Sequence, residues 1–573
     1  MRRFLVGLLA TIGGLALLAI AGAALAIWFF LAAGPPELPE RIVLDLDLRE
    51  GLPEVPSGDP LSVLGLEPEL TVSDAVLALD RAASDERVRG VVARLDGDAP
   101  GFAQAQELRE AILRLRAAGK FTIAFADSFG EFGPGTRGYY LASAFEEVAL
   151  QPLGALGLTG LLIETPFVRG LLEKIGVQPD LEKRGAYKTA ADMFTEGGLT
   201  PAHREMLGSI ADSLVGQVEA GIAEGRSLEP GAVARLAGGG PYSADEALAA
   251  KLIDHQRYWD EVIEEAERRA GEGSLRIPLV DYLGAAQAAV EAEAPVVAMV
   301  YGVGQIQRGD SEYGTAQGWI MGGDTVAGAL AEAIDDPEVD AILFRIDSGG
   351  GSAVASETIG RQVRRAIAAG KPVIASMGEL AASGGYWIAM DASSIVARPA
   401  TLTGSIGVLA GKPVLAGLWD ELGVEWGTVQ RGENASMWSL NMPFSPQGRA
   451  RLEAFLDRVY DAFVEGVARG RELPADEVRE VAQGRVWTGQ QAAELGLVDQ
   501  LGGFAQALAL AKEAAGAAPD EAVELRAFPR ARSTLEQILA LLEGPFSGLA
   551  LLQQRLSASP VPGVLSAPPL SIR

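Results

Sequence analysis

Ser383 stands in Gly378-Glu-Leu-Ala-Ala-Ser383-Gly-Gly-Tyr-Trp387, with alanines before it and glycines after it. Small neighbours where an apolar strand gives way to a helix leave a hydroxyl exposed and let a substrate backbone come close. The logic is that of the Gly-x-Ser-x-Gly turn without its letters. A helix start also carries N–H groups with no intrahelical acceptor, so Gly384 N–H is a natural donor to an oxyanion. Gly349-Gly350-Gly351, after the preceding strand-like run, offers a second donor, either Gly350 or Gly351. Together these residues suit acyl transfer to a serine.

A nucleophilic serine needs a base, and the chain has no Cys and two histidines, His203 and His255. Polar neighbours Arg204, Glu205, Asp254 and Gln256 place both histidines on exposed surface, where neither is a good base. Their spacing cannot form a His-Glu-x-x-His zinc site, and the lack of Cys removes thiolate nucleophiles and disulfides. No complete P-loop or dinucleotide fingerprint occurs. A net charge of −28 argues against a nucleic-acid partner, which needs clustered Lys and Arg.

These residues sit in a chain of 573, too long for one core, so two or more domains are expected. Met1-Arg-Arg3 precedes an apolar run from Phe4 to Ala33, longer than a signal-peptide core and long enough to span a bilayer. Arg2 and Arg3 put its start in the cytoplasm, and Trp28-Phe29-Phe30 reads as an interfacial belt. Pro35-Pro36-Glu-Leu-Pro39 then begins a linker.

Beyond the linker the sequence repeats. Asp85-Glu-Arg-Val-Arg-Gly-Val-Val-Ala-Arg-Leu-Asp96 lines up with Asp336-Pro-Glu-Val-Asp-Ala-Ile-Leu-Phe-Arg-Ile-Asp347, Ala118-Gly-Lys120 with Ala369-Gly-Lys371, and Tyr139-Tyr-Leu-Ala142 with Tyr386-Trp-Ile-Ala389. In the second copy, strands are expected at 297–301, 341–346 and 372–376, with helices at 325–334 and 356–369. That alternation predicts parallel strands joined by right-handed crossovers. Helix-rich sequence closes each copy, from about Pro201 to Ala270 and from Pro446 to Ala514. An amphipathic stretch from Leu535 to Leu556 leads into a Pro- and Ser-containing tail.

Three blocks carry a family likeness: Asp347-Ser-Gly-Gly-Gly-Ser352, the Ser383 segment, and Thr401-Leu-Thr-Gly-Ser-Ile-Gly407. They resemble the signatures of signal peptide peptidase A, and the repeat and anchor resemble its long double-domain form, also called protease IV, of peptidase family S49. That family belongs to the Clp protease/crotonase-like superfamily. The resemblance implies a Ser/Lys dyad split between the halves. Carried over, the lysine falls in Glu182-Lys-Arg-Gly-Ala-Tyr-Lys188, with Lys188 as base, Lys183 as its rival, and Ser405 orienting the lysine. In the repeat, Ala435 stands opposite Lys188 and Thr136 opposite Ser383, so each half carries one member of the pair. One departure is visible. The family reads Asn-Ser-Pro-Gly-Gly where this chain has Asp347-Ser-Gly349-Gly-Gly.

The expected architecture is therefore α/β, with tandem duplicated Clp protease/crotonase-like domains behind a transmembrane helix. Its parts are an anchor (1–34), a lysine-bearing domain (35–290), a serine-bearing domain (291–525) and a C-terminal stretch and tail (526–573). The resemblance implies a serine endopeptidase that degrades cleaved signal peptides and other apolar or unfolded peptides. It implies a homotetramer held in lipid through residues 4–33, single-pass in the bacterial cytoplasmic membrane with its body outside, and no cofactor or metal. The alternatives are a crotonase-like acyl-CoA enzyme and a catalytically inactive membrane scaffold of the same fold.

Overall fold

The computed structural model describes residues 14, 22, 38–56, 69–97, 100–287, 294–314, 318–518, 521–530 and 571–572. No helix among the described residues is long and apolar enough to cross a membrane. Apart from Gly14 and Gly22, the apolar run 4–33 lies outside them, as does the stretch 535–556.

The repeat reappears as two sheets of the same topology. In the first half the strand order is Leu275–Pro278, Ile42–Asp47, Val88–Leu95, Phe121–Ala126, Glu147–Leu150, His255–Gln256, every pair parallel. In the second half Glu524–Phe528, Val296–Val303, Val339–Ser348, Val373–Ala382, Ser394–Ala397 and Gln500–Leu501 follow the same order, again parallel. Val- and Ile-rich runs suit strands buried on both faces, which a parallel sheet with covering helices requires. Each half also has a 25-residue helix, Pro201–Gly225 and Pro446–Gly470. Each is begun by a capping hydroxyl, Thr200 or Ser445, and by proline at the first helical position.

The strand expected at 372–376 runs on to Ala382. It persists because Leu380, Ala381 and Ala382 find a parallel partner in Leu402–Gly404, while a register shift opposite Asp347 absorbs the extra length. The strand thus delivers Ser383 directly.

Two features lock the halves together. Strand Gln178–Arg184 of the first half pairs antiparallel with Val408–Val414 of the second along all seven residues of each. The apolar core is also continuous, since Leu343, Ile374, Leu402 and Phe504 join the buried cluster of Leu79, Leu108 and Ile112. Arg345 lies fully buried between the halves. Its guanidinium donates to both oxygens of Glu54 (2.9 and 3.0 Å) and to Glu107 (2.8 Å).

Candidate active site

Ser383 is the N-cap of the short helix Gly384–Ala389, with φ 57° and ψ −116°. Positive φ is uncommon for a residue with a Cβ and costs energy unless its surroundings impose it. Here Ser383 N–H is tied to Gly404 O at 2.8 Å and Ser383 O accepts from Trp387 N–H at 2.9 Å. The hydroxyl is not exposed as the small neighbours suggested. It is fully buried, because a lysine covers it.

That lysine is Lys188, also fully buried. Its Nζ is 2.7 Å from Ser383 Oγ and 3.0 Å from both the hydroxyl and the carbonyl oxygen of Ser405. No carboxylate is among these partners. Burial pushes the lysine down from its ordinary value to about 7, so a large fraction is neutral near neutral pH. Lys183, the rival, points elsewhere and pairs with Asp192. Ser405, like Ser383, has positive φ (50°), so both hydroxyls that meet the lysine sit on constrained backbone.

Lys188 reaches across because of the ribbon described above. Strand Gln178–Arg184 carries the chain over the second half, and Tyr187 N–H bonds Gln483 O at 2.9 Å. Two glycines permit this closeness. A Cβ on Gly484 would lie 2.6 Å from Lys188 N, and one on Gly185 would lie 2.2 Å from the Gln483 carbonyl carbon. Neither glycine is marked by the sequence blocks; they matter only once the halves are docked.

The glycine turn completes the site. Gly350 N–H is taken up by Ser348 Oγ (3.1 Å), whose own hydroxyl donates to Gly304 O (2.6 Å). Among the described residues, the N–H groups of Gly351 and Gly384 make no hydrogen bond. They are close, since a Cβ on Gly384 would fall 3.0 Å from Gly351 N. Of the two candidates in the turn, Gly351 is the one with a free donor. Ser348 was missed, although it lies inside the first block.

The repeat partners differ as expected. Thr136 is buried with its hydroxyl on Gly160 O, and Ala435 lies in the irregular region after residue 423. His255 Nε2 lies 3.4 Å from Glu147 Oε2. His203 corrects the sequence reading. It is fully buried on the helix face of Met206, Leu207 and Ile210, not exposed. Residues three, four and seven positions on set the face of a helical residue, and the adjacent Arg204 and Glu205 do not.

The Peptidase family S49 model matches residues 116–272 and 365–518, one stretch in each half. The chain belongs to peptidase family S49. It is 33% identical over 476 residues to the chloroplastic serine protease SPPA of Arabidopsis thaliana, covering 80% of this chain and 68% of that protein. It is 32% identical over 464 residues to Protease 4 of Salmonella typhi (78% and 72%) and 30% identical over 478 residues to Protease 4 of Haemophilus influenzae (80% and 75%). This S49 chain is a serine protease, and the acyl-CoA and inactive-scaffold alternatives are set aside. The two matched stretches contain Lys188 and Ser383 respectively.

Proposed function

We propose that this protein is a membrane-held endopeptidase that uses Ser383 as nucleophile and Lys188 as general base to degrade signal peptides and other apolar, unfolded chains. The observation that carries the reading is the 2.7 Å contact between a fully buried lysine of one half and the serine hydroxyl of the other. Neutral Lys188 takes the Ser383 proton as Oγ attacks the scissile carbonyl carbon. Gly384 and Gly351 N–H groups receive the developing oxyanion. The lysine ammonium then protonates the leaving amine, giving an acyl-serine, and water attacks that ester with Lys188 again as base. Ser405 holds Nζ toward Ser383 throughout.

Signal peptides as substrates are supported by the likeness to a putative signal peptide peptidase SppA of Enterococcus faecium, and the anchor by the run 4–33 with Arg2 and Arg3 before it. A homotetramer has support within the fold. By the repeat, 425–431 occupies the position of strand Gln178–Arg184, yet it has no strand partner and exposes Trp426 and Val429. The equivalent of the internal ribbon is thus left open for another copy of the chain.

The test is peptide cleavage by full-length Ser383→Ala and Lys188→Ala proteins, together with fluorophosphonate labelling. Activity should fall by about 10³-fold or more in each, with labelling lost in the serine variant. Undiminished cleavage by either variant defeats the dyad.

A further inference from the structure

Strand Val373–Ala382 pairs with Val339–Ser348 in steady register up to Ile346 opposite Met377, then jumps to Ser348 opposite Ala381. One residue, Asp347, therefore faces three, Gly378, Glu379 and Leu380. A bulge of this kind strands backbone donors. The Asp347 side chain takes one of them, accepting Leu380 N–H on Oδ1 at 2.8 Å. Asp347 thus ties the strand end that carries the glycine turn to the strand end that carries Ser383.

The second carboxyl oxygen meets a crowded electrostatic setting. A Cβ on Gly378 would lie 3.2 Å from Glu54 Oε1 and 3.3 Å from Asp347 Cγ, so the two carboxyls, one from each half, flank the same glycine. Glu54 is already satisfied: Arg345 binds both of its oxygens, and Gln104 donates to Oε1 at 3.0 Å. Arg345 is shared with Glu54 and Glu107, so its pull on Asp347 is weaker than the opposing Glu54 charge. Glu379, the bulge residue beside it, turns away to accept the N–H groups of Phe102 and Ala103 (2.9 Å each) and of Gln104 (3.3 Å) at the start of helix Phe102–Ala117. Burial raises the Glu379 carboxyl above its ordinary value, against the pull of those three N–H groups and of Arg137. Two cations therefore face four carboxyl groups around the bulge.

We propose that Asp347 is a positioning residue that works in its protonated, uncharged form, holding the bulge that aligns the glycine turn with Ser383. In that form its Oδ1 keeps Leu380 N–H and its hydroxyl faces Glu54 without repulsion, as an amide would. Ionisation places a negative charge beside Glu54 and next to the turn whose Gly351 N–H must meet an oxyanion, so it disfavours the transition state. Asp347 is half-buried at the surface, yet desolvation of its carboxyl, then the Glu54 charge, raises it to about 8, with Glu379 adding to the rise and Leu380 N–H and Arg345 pulling against it. Glu54, although burial opposes its ionisation, stays below its ordinary value through Arg345. The proton of the facing pair therefore rests on Asp347.

The inference rests on the Ser383–Lys188 reading, and the experiment separates the two. The pH dependence of kcat and KM is measured for the full-length protein, Asp347→Asn and Asp347→Ala on a fluorogenic apolar peptide, with Ser383→Ala as the blank. The wild type should lose activity above about pH 8, and Asp347→Asn should keep neutral-pH kcat within about threefold while losing that alkaline limb. Asp347→Ala, without an acceptor for Leu380 N–H, should lose about tenfold or more in kcat with KM little changed. An unaltered alkaline limb in Asp347→Asn, or wild-type kcat in Asp347→Ala, overturns the proposal for Asp347 and leaves the dyad standing. Residual activity in Ser383→Ala overturns the dyad instead.

Discussion

Lys188 Nζ and Ser383 Oγ lie 2.7 Å apart although 195 residues separate them in the chain. Each comes from a different copy of a duplicated unit, and each copy has lost or never had the other member. The contact is thus a property of how the copies dock. The predictions follow from what holds that docking and what it does to the lysine.

Activity should rise with pH through about 7 as Lys188 loses its proton. The same burial lowers stability. Between about pH 7 and the unfolded value of 10.5, the unfolded chain binds the proton and the folded chain does not, so stability rises with pH across this window. Lys188→Met should abolish cleavage yet stabilise the fold at pH 7, by on the order of 4 kcal/mol, with the gain shrinking toward pH 10. Urea unfolding at several pH values reads this; a destabilised Lys188→Met protein would contradict it.

Gly484→Ala should misplace the base without unfolding the protein. The new Cβ would meet Lys188 N at 2.6 Å, and Gly484 has φ 76°. A shift of about 1 Å at the reacting atoms is enough to cost roughly 100-fold in rate. Steady-state kinetics with circular dichroism as the folding control would show a kcat loss at retained helix content.

Arg345→Met leaves Glu54 and Glu107 buried without their cation. Removing one partner of a buried ion pair typically costs about 3–5 kcal/mol. The loss should appear in denaturant unfolding as a lowered midpoint, and it should exceed that of any exposed pair such as Arg49–Asp47.

His203 makes no hydrogen bond through either ring nitrogen, and its ring packs edge-on to Phe167 at 6.0 Å between centroids. Burial lowers its pKa, although Asp192 pulls the other way. Being depressed, it contributes stability above the unfolded value of about 6.5 that is lost as pH falls below it. His203→Phe should leave kcat within about threefold and flatten that acid-side loss, which thermal melts between pH 5 and 8 would detect.

Replacing Trp426 and Val429 with Lys should weaken assembly of identical chains while leaving the dyad intact. Light scattering of the detergent-solubilised protein would show a smaller particle. An unchanged mass would place the interface elsewhere.

Much of the fold could be read in the chain because parallel strands are near-continuous apolar runs. Val297 to Tyr301 and Ala341 to Ile346 announce themselves, and the repeat fixes which elements correspond. Ser383 and Ser405 stand in the spaced blocks, whereas Lys188 entered only through the family resemblance, with Lys183 as its rival. What stayed hidden depends on close approach in three dimensions. Gly185 and Gly484 look like ordinary loop glycines until two backbones meet there. Nothing in the sequence marks Glu54 and Glu107 until Arg345 is seen buried between them. His203 was misread for a different reason, since its neighbours in sequence are not its neighbours on the helix.

The ribbon of Gln178–Arg184 on Val408–Val414 also has a bearing on biosynthesis. Synthesis begins with the half that carries the base and only later produces the strand on which that half must lie. A nascent or truncated chain therefore holds a lysine with no serine to activate. The Lys188–Ser383 contact can therefore form only after the second half has been made and has docked on the first.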